Sequence, residues 1–175
     1  EIMGIETAEI EMKKHRYVRL ILFAGVVVLL DQVSKAAIWA YLPLYDSIPV
    51  IPGFFDLTHV HNPGGAFGLF AQKSEGLRQF FFLVLTSVAI IMIFMFYRTI
   101  PRSHPWLSLA LALIFGGAIG NLIDRIRYGE VVDFLKFYIG NYQWPSFNVA
   151  DSAITVGVGI FIAHLLFKKM PDNWR

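Results

Sequence analysis

The feature that most limits how this chain can fold is a run of 19 residues, 79–97, that contains no charged side chain. A helix of that length is long enough to cross the hydrocarbon core of a bilayer. Three further apolar runs cover residues 17–41, 106–123 and 152–167. The sequence therefore predicts an all-α membrane protein with four transmembrane helices.

Composition agrees with a membrane protein and excludes several kinds of site. The chain is 56% hydrophobic and 16% charged, whereas a soluble domain has roughly 25% charged residues. The absence of cysteine excludes disulfides, thiolate nucleophiles and Cys-based metal sites. The net charge of +2 arises from basic residues at the ends of the apolar runs, so we expect no nucleic-acid binding.

The first apolar run has the basic start and apolar centre of a cleavable signal peptide, but Asp31 and Lys35 interrupt it. We therefore expect a retained helix. The two charged residues are four apart, so they share a helix face and can form an ion pair. The pair is either a plain structural contact near the outer interface or a brace for a functional site.

The N-terminal segment, residues 1–11, is acidic and has no core pattern. We interpret it as a cloning remnant or a disordered tail, and residues 12–175 as a single four-helix domain.

The distribution of basic residues predicts the orientation of the helices. With the N-terminus inside, nine Lys and Arg residues flank the inner ends of the helices and five lie in the outer connections. This bias predicts that both termini are cytoplasmic.

The connection over residues 42–76 contains alternating residues, 54–60, which predict short strands. His59 and His61 would share a strand face, either as a metal pair or, more commonly, as exposed histidines. The segment 62–68 predicts a turn or re-entrant element.

Small residues predict close helix contacts in two of the runs. Gly116 and Gly120 have the GxxxG spacing, and Ala153 with Gly157 offers a second small face. His164, near the inner end of the last helix, is expected at the membrane interface.

Three aspartates lie between the third and fourth apolar runs. Asp124 precedes Arg125, whose charge favours an ionised, structural carboxylate. Asp133 has apolar neighbours on both sides, so burial should raise its pKa. Asp151 stands at the head of the fourth helix, where an aspartate is a good N-cap and is favoured in its ionised form.

A hydrolase with two aspartates needs this asymmetry, because one carboxylate takes a proton from water while the other donates one. A plain N-cap plus a buried, hydrogen-bonded aspartate explains the residues equally well. Two other functions remain open: a small transporter or proton relay using Asp31, Asp133 and Asp151, and a membrane scaffold. The placement of two of these aspartates at the outer edge argues against a relay.

Five sequence blocks together resemble the lipoprotein signal peptidases (signal peptidase II), a family of bacterial membrane aspartic proteases. They are DQVSK at 31–35, NPGGAF at 62–67, GGAIGNLIDR at 116–125, VVDF at 131–134 and FNVADS at 147–152. The second block departs from the family pattern, which has two alanines after the first glycine where this chain has Gly65 and Ala66.

The resemblance implies a small extracytoplasmic β-sheet between the first two helices and a second extracytoplasmic loop over the active site. It implies a catalytic dyad of Asp133 and Asp151, with Asp124 as a structural acid. Further substrate-positioning or site-bracing residues would be Asn62, Gly64, Asn121, Arg125, Asn148, Asp31 and Lys35.

The resemblance also implies the partners. The substrates would be prolipoproteins carrying diacylglycerol on the lipobox cysteine, cleaved just before that cysteine. Globomycin-type cyclic peptides would occupy the site, and membrane lipids would surround it. We expect no metal or organic cofactor, a monomer, and a location in the bacterial cytoplasmic (inner) membrane.

Overall fold

The computed structural model describes residues 2–64, 74–101 and 103–167, with side chains described from residue 17 onward. The helices are α1 (Ile2–Tyr41), α2 (Glu75–Tyr97), α3 (Pro105–Tyr128) and α4 (Val149–Phe167). The strands are β1 (Ser47–Ile51), β2 (Phe55–Asn62), β3 (Val131–Ile139) and β4 (Tyr142–Gln143).

All four helices contain a stretch that is long and apolar enough to cross a membrane, as predicted. In α1 that stretch is Tyr17–Tyr41. The backbone is helical from Ile2, and the interpretation of residues 1–11 as a remnant or tail stays a prediction. Helix α3 continues five residues beyond the predicted end, so Asp124 and Arg125 belong to its last turns.

Helix α3 is the central helix of the bundle, and glycines let its neighbours approach. A Cβ on Gly116 would lie 2.8 Å from the Ala24 Cα of α1. A Cβ on Gly117 would overlap the carbonyl oxygen of Ala150 in α4. Half of the apolar stretch of α3 is buried, against 22% or less in each of the other three helices. The predicted close contact at the GxxxG spacing is confirmed.

Two glycines of α4 give a matched test of this packing. We expect Gly157→Ala to lower the free energy of unfolding by about 1–3 kcal/mol, the usual cost of overpacking. The added methyl would lie 2.7 Å from the carbonyl oxygen of Ala110. Gly159→Ala is the control, because nothing lies within 4 Å of its Cβ, and alanine favours a helix over glycine. Thermal unfolding in detergent measures both, and equal melting temperatures would contradict the packing account.

The sheet is antiparallel with strand order β1-β2-β3-β4. Its first two strands confirm the short strands predicted in the first connection. The small sheet expected between the first two helices is present and extends further than expected, since β3 comes from the second connection and pairs with β2. Val60 faces Asp133 and Asn62 faces Val131 in that register. The pairing joins segments about 70 residues apart, which local sequence patterns do not reveal.

Two histidines have buried side chains, and the expectation that His59 is exposed is wrong. His59 is only 4% exposed, and its Nδ1 lies 2.7 Å from the carbonyl oxygen of Leu42. Its ring packs against Trp39 of α1, so it is a buried residue of strand β2. His164 is 5% exposed, and its Nε2 lies 3.0 Å from Nδ1 of His104. It is therefore a buried residue in the last turn of α4, and its expected level at the membrane interface stays a prediction.

Candidate active site

The second connection folds back and brings Asp133 and Asp151 to one place. Asp133 lies on β3, and Asp151 lies in the first turn of α4. Backbone hydrogen bonds between Leu135 and Phe147, 2.8 and 3.0 Å long, close the loop between them. The next residue, Asn148, reaches both carboxylates. Its side-chain amide donates to Asp133 Oδ1 at 2.7 Å, and its backbone N–H donates to Asp151 Oδ2 at 3.2 Å.

Asn148 also caps helix α4. Its Oδ1 accepts a hydrogen bond from the backbone N–H of Asp151 at 2.9 Å, while the Asp151 carboxylate accepts from the N–H of Asn148. This reciprocal arrangement is a capping box. The prediction that Asp151 is the N-cap is therefore wrong by three positions. Asp151 is the partner acid of the box, which holds its carboxylate close to the helix N-terminus.

Asn62 fixes the other side of Asp133. Its side-chain amide donates to Asp133 Oδ2 at 2.9 Å, and its Oδ1 accepts from the backbone N–H of Gly64 at 2.9 Å. Gly64 has φ +85°, and a Cβ there would lie 2.6 Å from the ring of Phe82. Both requirements favour glycine. The departure from the family pattern at Gly65 lies outside the described residues.

Burial raises the pKa of Asp133 to about 7, and the negative charge of Asp151 adds to the rise. The hydrogen bonds from Asn62 and Asn148 act in the opposite direction because they stabilise the ionised form. Asp133 is only 2% exposed to solvent. The rise predicted from its apolar neighbours is confirmed.

Asn121 links the second carboxylate to helix α3. Its amide donates to Asp151 Oδ1 at 2.8 Å, and its Oδ1 accepts from the Asn148 amide at 3.1 Å. Arg125, one helical turn later, donates to the backbone oxygen of Asn121 at 3.1 Å. Its guanidinium lies 6.0 Å from the centre of the Phe82 ring and interacts electrostatically with the nearby aspartates. These two residues place hydrogen-bond donors and a positive charge beside the carboxylate pair.

A second cluster, formed by Asp31, Lys35 and Asp124, lies directly behind this site. The Lys35 ammonium is 2.8 Å from Asp31 Oδ2 and 2.8 Å from Asp124 Oδ2. It also donates to Asn121 Oδ1 at 3.1 Å. The three charged residues are at most 4% exposed. We call this cluster the lysine brace.

The lysine brace holds the two segments that carry the candidate dyad. Asp31 Oδ1 accepts from the backbone N–H of Ala150 at 2.9 Å, next to Asp151. Asp124 Oδ2 accepts from the backbone N–H of Val132 at 3.1 Å, next to Asp133. Of the two interpretations of the Asp31 and Lys35 pair, these contacts favour a brace for the site over an isolated ion pair.

The predicted pairing of Asp124 with Arg125 is corrected, because the cation that contacts Asp124 is Lys35. Consecutive helical residues point about 100° apart and do not face each other. Sequence reasoning also missed the role of Gln32. Its amide donates to Asp124 Oδ1 at 3.0 Å and lies 3.2 Å from Asp31 Oδ2. In the sequence, only its position between Asp31 and Lys35 in the DQVSK block indicates that Gln32 belongs to the site.

The described part of the chain contains no group of three or more His, Asp or Glu side chains arranged to hold a metal ion. The oxygens of Asp31, Asp124, Asp133 and Asp151 instead accept hydrogen bonds from amides and from Lys35. The site is therefore an arrangement of carboxylates, amides and two cations.

Comparison with known proteins finds a match to the family described as signal peptidase (SPase) II, over residues 23–167. A lipoprotein signal peptidase of Desulforapulum autotrophicum is 54% identical over 92% of this chain and 99% of its own length. That of Syntrophotalea carbinolica is 48% identical over 94% and 98%. Both relatives are named as peptidases, so the comparisons do not favour a transporter or proton relay.

A solved structure also matches the fold. It is a bacterial membrane enzyme determined by the in meso method at 1.9 Å resolution. The TM-score is 0.76 with 36% sequence identity, covering 86% of this chain and 94% of the other. The likeness extends over the four helices and the small sheet together.

Proposed function

Because the chain belongs to the signal peptidase II family of membrane aspartic peptidases, we propose that it removes signal peptides from diacylglyceryl-modified prolipoproteins. Cleavage falls just before the lipidated lipobox cysteine. Asp133 and Asp151 form the catalytic dyad. The observation that carries this assignment is the Asn148 side chain and backbone, which hydrogen-bond to both carboxylates and hold them together.

The dyad activates water for attack on the scissile carbonyl. One carboxylate is ionised and takes a proton from water, while the other is protonated and donates to the carbonyl oxygen. The resulting diol then collapses, the bond to the cysteine nitrogen breaks, and the amine takes a proton from the dyad. Because the two acids lie close together, they titrate as a pair, and the roles of base and acid belong to the pair.

Surrounding residues hold the dyad and the substrate. Asn62, Asn121 and Asn148 keep the carboxylate oxygens in place through amide hydrogen bonds. Arg125 supplies a positive charge beside the carbonyl oxygen as negative charge develops there. The lysine brace fixes the backbone at Val132 and Ala150, so that both catalytic side chains keep their spacing.

The location of the site suits a lipid-anchored substrate. The dyad lies where β3 and the first turn of α4 meet, at one end of the bundle. By the positive-inside rule this end is extracytoplasmic, with both termini in the cytoplasm and the chain in the inner membrane. The second connection lies over the site on that side. Substrate enters laterally from the lipid, and the monomeric enzyme also binds globomycin-type cyclic peptides in the same place.

The proposed substrate is tested by cleavage of a synthetic lipobox peptide whose cysteine carries diacylglycerol. Mass spectrometry of the products identifies the cut bond. We expect one cut, immediately before the modified cysteine. The same peptide without the lipid is the control and should be cleaved far more slowly. Equal cleavage of both peptides, or a cut elsewhere, would contradict the assignment of substrate and bond.

The raised pKa of Asp133 predicts how activity depends on pH. The dyad needs one shared proton, and the pKa of about 7 means that this proton is lost as pH rises through 7. We therefore expect kcat/KM to fall above about pH 7, approaching tenfold per pH unit. A profile that stays flat to pH 9 would contradict a protonated acid in the dyad.

Asn62→Ala should shift this profile in a defined direction. The Asn62 amide lowers the pKa of Asp133 by stabilising the ionised carboxylate, so its removal should move the alkaline limb to higher pH. Asn62 also positions the site, so the rate itself is expected to fall. The informative measurement is therefore the position of the limb, and an unchanged position would contradict the proposed hydrogen bond.

A further inference from the structure

Two cavities lie at the opposite end of the bundle from the dyad, one on each side of Trp106. The larger, about 390 Å³, lies between α1 and α3 and is lined by Arg19, Phe23, Pro105, Trp106, Ser108 and Leu109. The smaller, about 300 Å³, lies between α3 and α4 and is lined by Trp106, Ile160, Ala163, His164 and Phe167. Trp106 itself is 56% exposed. Both volumes are in the lower part of the range for small-molecule sites.

Arg19 distinguishes the larger cavity. Its side chain is exposed and makes no ion pair with any residue whose side chain the structure describes. The other walls are almost entirely carbon surface from Phe23, Pro105, Trp106 and Leu109. An unpaired guanidinium beside an apolar cavity, near the end of a transmembrane helix, attracts a ligand with one anionic end and one apolar end.

We propose that the larger cavity binds an anionic glycerophospholipid. The lipid phosphate pairs with the guanidinium of Arg19, which can donate two parallel hydrogen bonds to its oxygens. One acyl chain lies along Phe23 and Leu109, and the Trp106 indole lies at the level of the headgroup, where tryptophans are enriched. In the proposed orientation this is the cytoplasmic leaflet, whose lipids include the anionic ones.

The smaller cavity provides an internal comparison. No Lys or Arg is among the lining residues that the structure describes, so we expect lipid binding there not to depend on headgroup charge. A second copy of the chain is a poorer occupant of the larger cavity, because packing against it would bury Arg19 without a partner, which is costly. We therefore expect a preference for anionic headgroups in the larger cavity and none in the smaller one.

The test uses the purified protein in detergent and native mass spectrometry. Dioleoyl phosphatidylglycerol and dioleoyl phosphatidylcholine are titrated separately, so that only the headgroup differs. We expect the first bound lipid molecule to bind about fivefold more tightly when it is phosphatidylglycerol than when it is phosphatidylcholine. A difference of this size is typical of one basic residue at an anionic surface. Arg19→Gln should remove this preference, because phosphatidylglycerol binding should weaken more than phosphatidylcholine binding, whose choline group already neutralises the phosphate.

Two further variants separate a defined site from general attraction to a basic surface. Arg98→Gln removes an exposed arginine at the same end of the bundle and should keep the preference. Leu109→Trp fills the larger cavity and should weaken binding of the first phosphatidylglycerol molecule. Cleavage of the lipobox peptide by this variant verifies that it is folded. An equal loss in Arg19→Gln and Arg98→Gln would overturn the proposal. Equal affinity of the wild type for both lipids, or a lipid-free dimer as the dominant species, would also overturn it.

Discussion

Asp133→Asn and Asp151→Asn are each expected to lower kcat for a diacylated lipobox peptide by at least about 10³-fold. Each change removes one carboxylate from the pair but keeps the shape of the side chain. Because the two acids act as one unit, the double variant should lose little more than either single variant. Steady-state and single-turnover cleavage of all three variants measure this directly.

Asp124→Asn is the matched control for these changes. Asp124 accepts hydrogen bonds from Val132 and Gln32 and pairs with Lys35, so it lies outside the proposed dyad. We expect this variant to lose stability or yield more than catalytic rate per folded molecule. A multiplicative loss in the double Asp133 and Asp151 variant would contradict a dyad that acts as one unit. So would a loss of turnover in folded Asp124→Asn equal to that of Asp133→Asn.

Lys35→Met is expected to cause the largest loss of stability, about 3–5 kcal/mol, which is typical when one partner of a buried ion pair is removed. Lys35 is 4% exposed and contacts both Asp31 and Asp124. Without the ammonium, two buried carboxylates remain without a compensating charge. Since they hold the backbone at Val132 and Ala150, the spacing of the dyad should change and activity should fall with stability.

Arg127→Met is the control for this prediction. Arg127 is a nearby exposed cation whose contact is a 3.3 Å hydrogen bond to Gln32, and exposed contacts contribute little. Adding Asp31→Asn to Lys35→Met should recover part of the lost stability, because one uncompensated charge is removed. Unfolding by SDS or heat in detergent measures all three. Equal stability of Lys35→Met and Arg127→Met would contradict the lysine brace.

The membrane fold could be predicted because its signals are local. A run such as residues 79–97 contains no charge, and length with apolar composition is sufficient to predict a membrane-spanning helix. The raised pKa of Asp133 was also predictable, since its immediate neighbours Val132 and Phe134 are apolar and are buried with it.

The contacts that assemble the site could not be predicted in the same way. The pairing of β3 with β2 and the contact of Lys35 with Asp124 join distant parts of the chain. The sequence offers Arg125 as the obvious partner of Asp124, but helix geometry directs their side chains apart. At the start of α4, Asn148 and Asp151 are both good N-cap residues, and only the position of the first helical residue distinguishes them.

The most direct test of the central claim compares purified wild type with Asp133→Asn on one diacylated lipobox peptide at pH 6, with both proteins verified as folded. The account predicts that the wild type releases a product beginning at the lipidated cysteine. It predicts that the variant releases at most about a thousandth as much in the same time. Cleavage by folded Asp133→Asn at a rate close to that of the wild type would contradict the assignment of Asp133 to the catalytic pair.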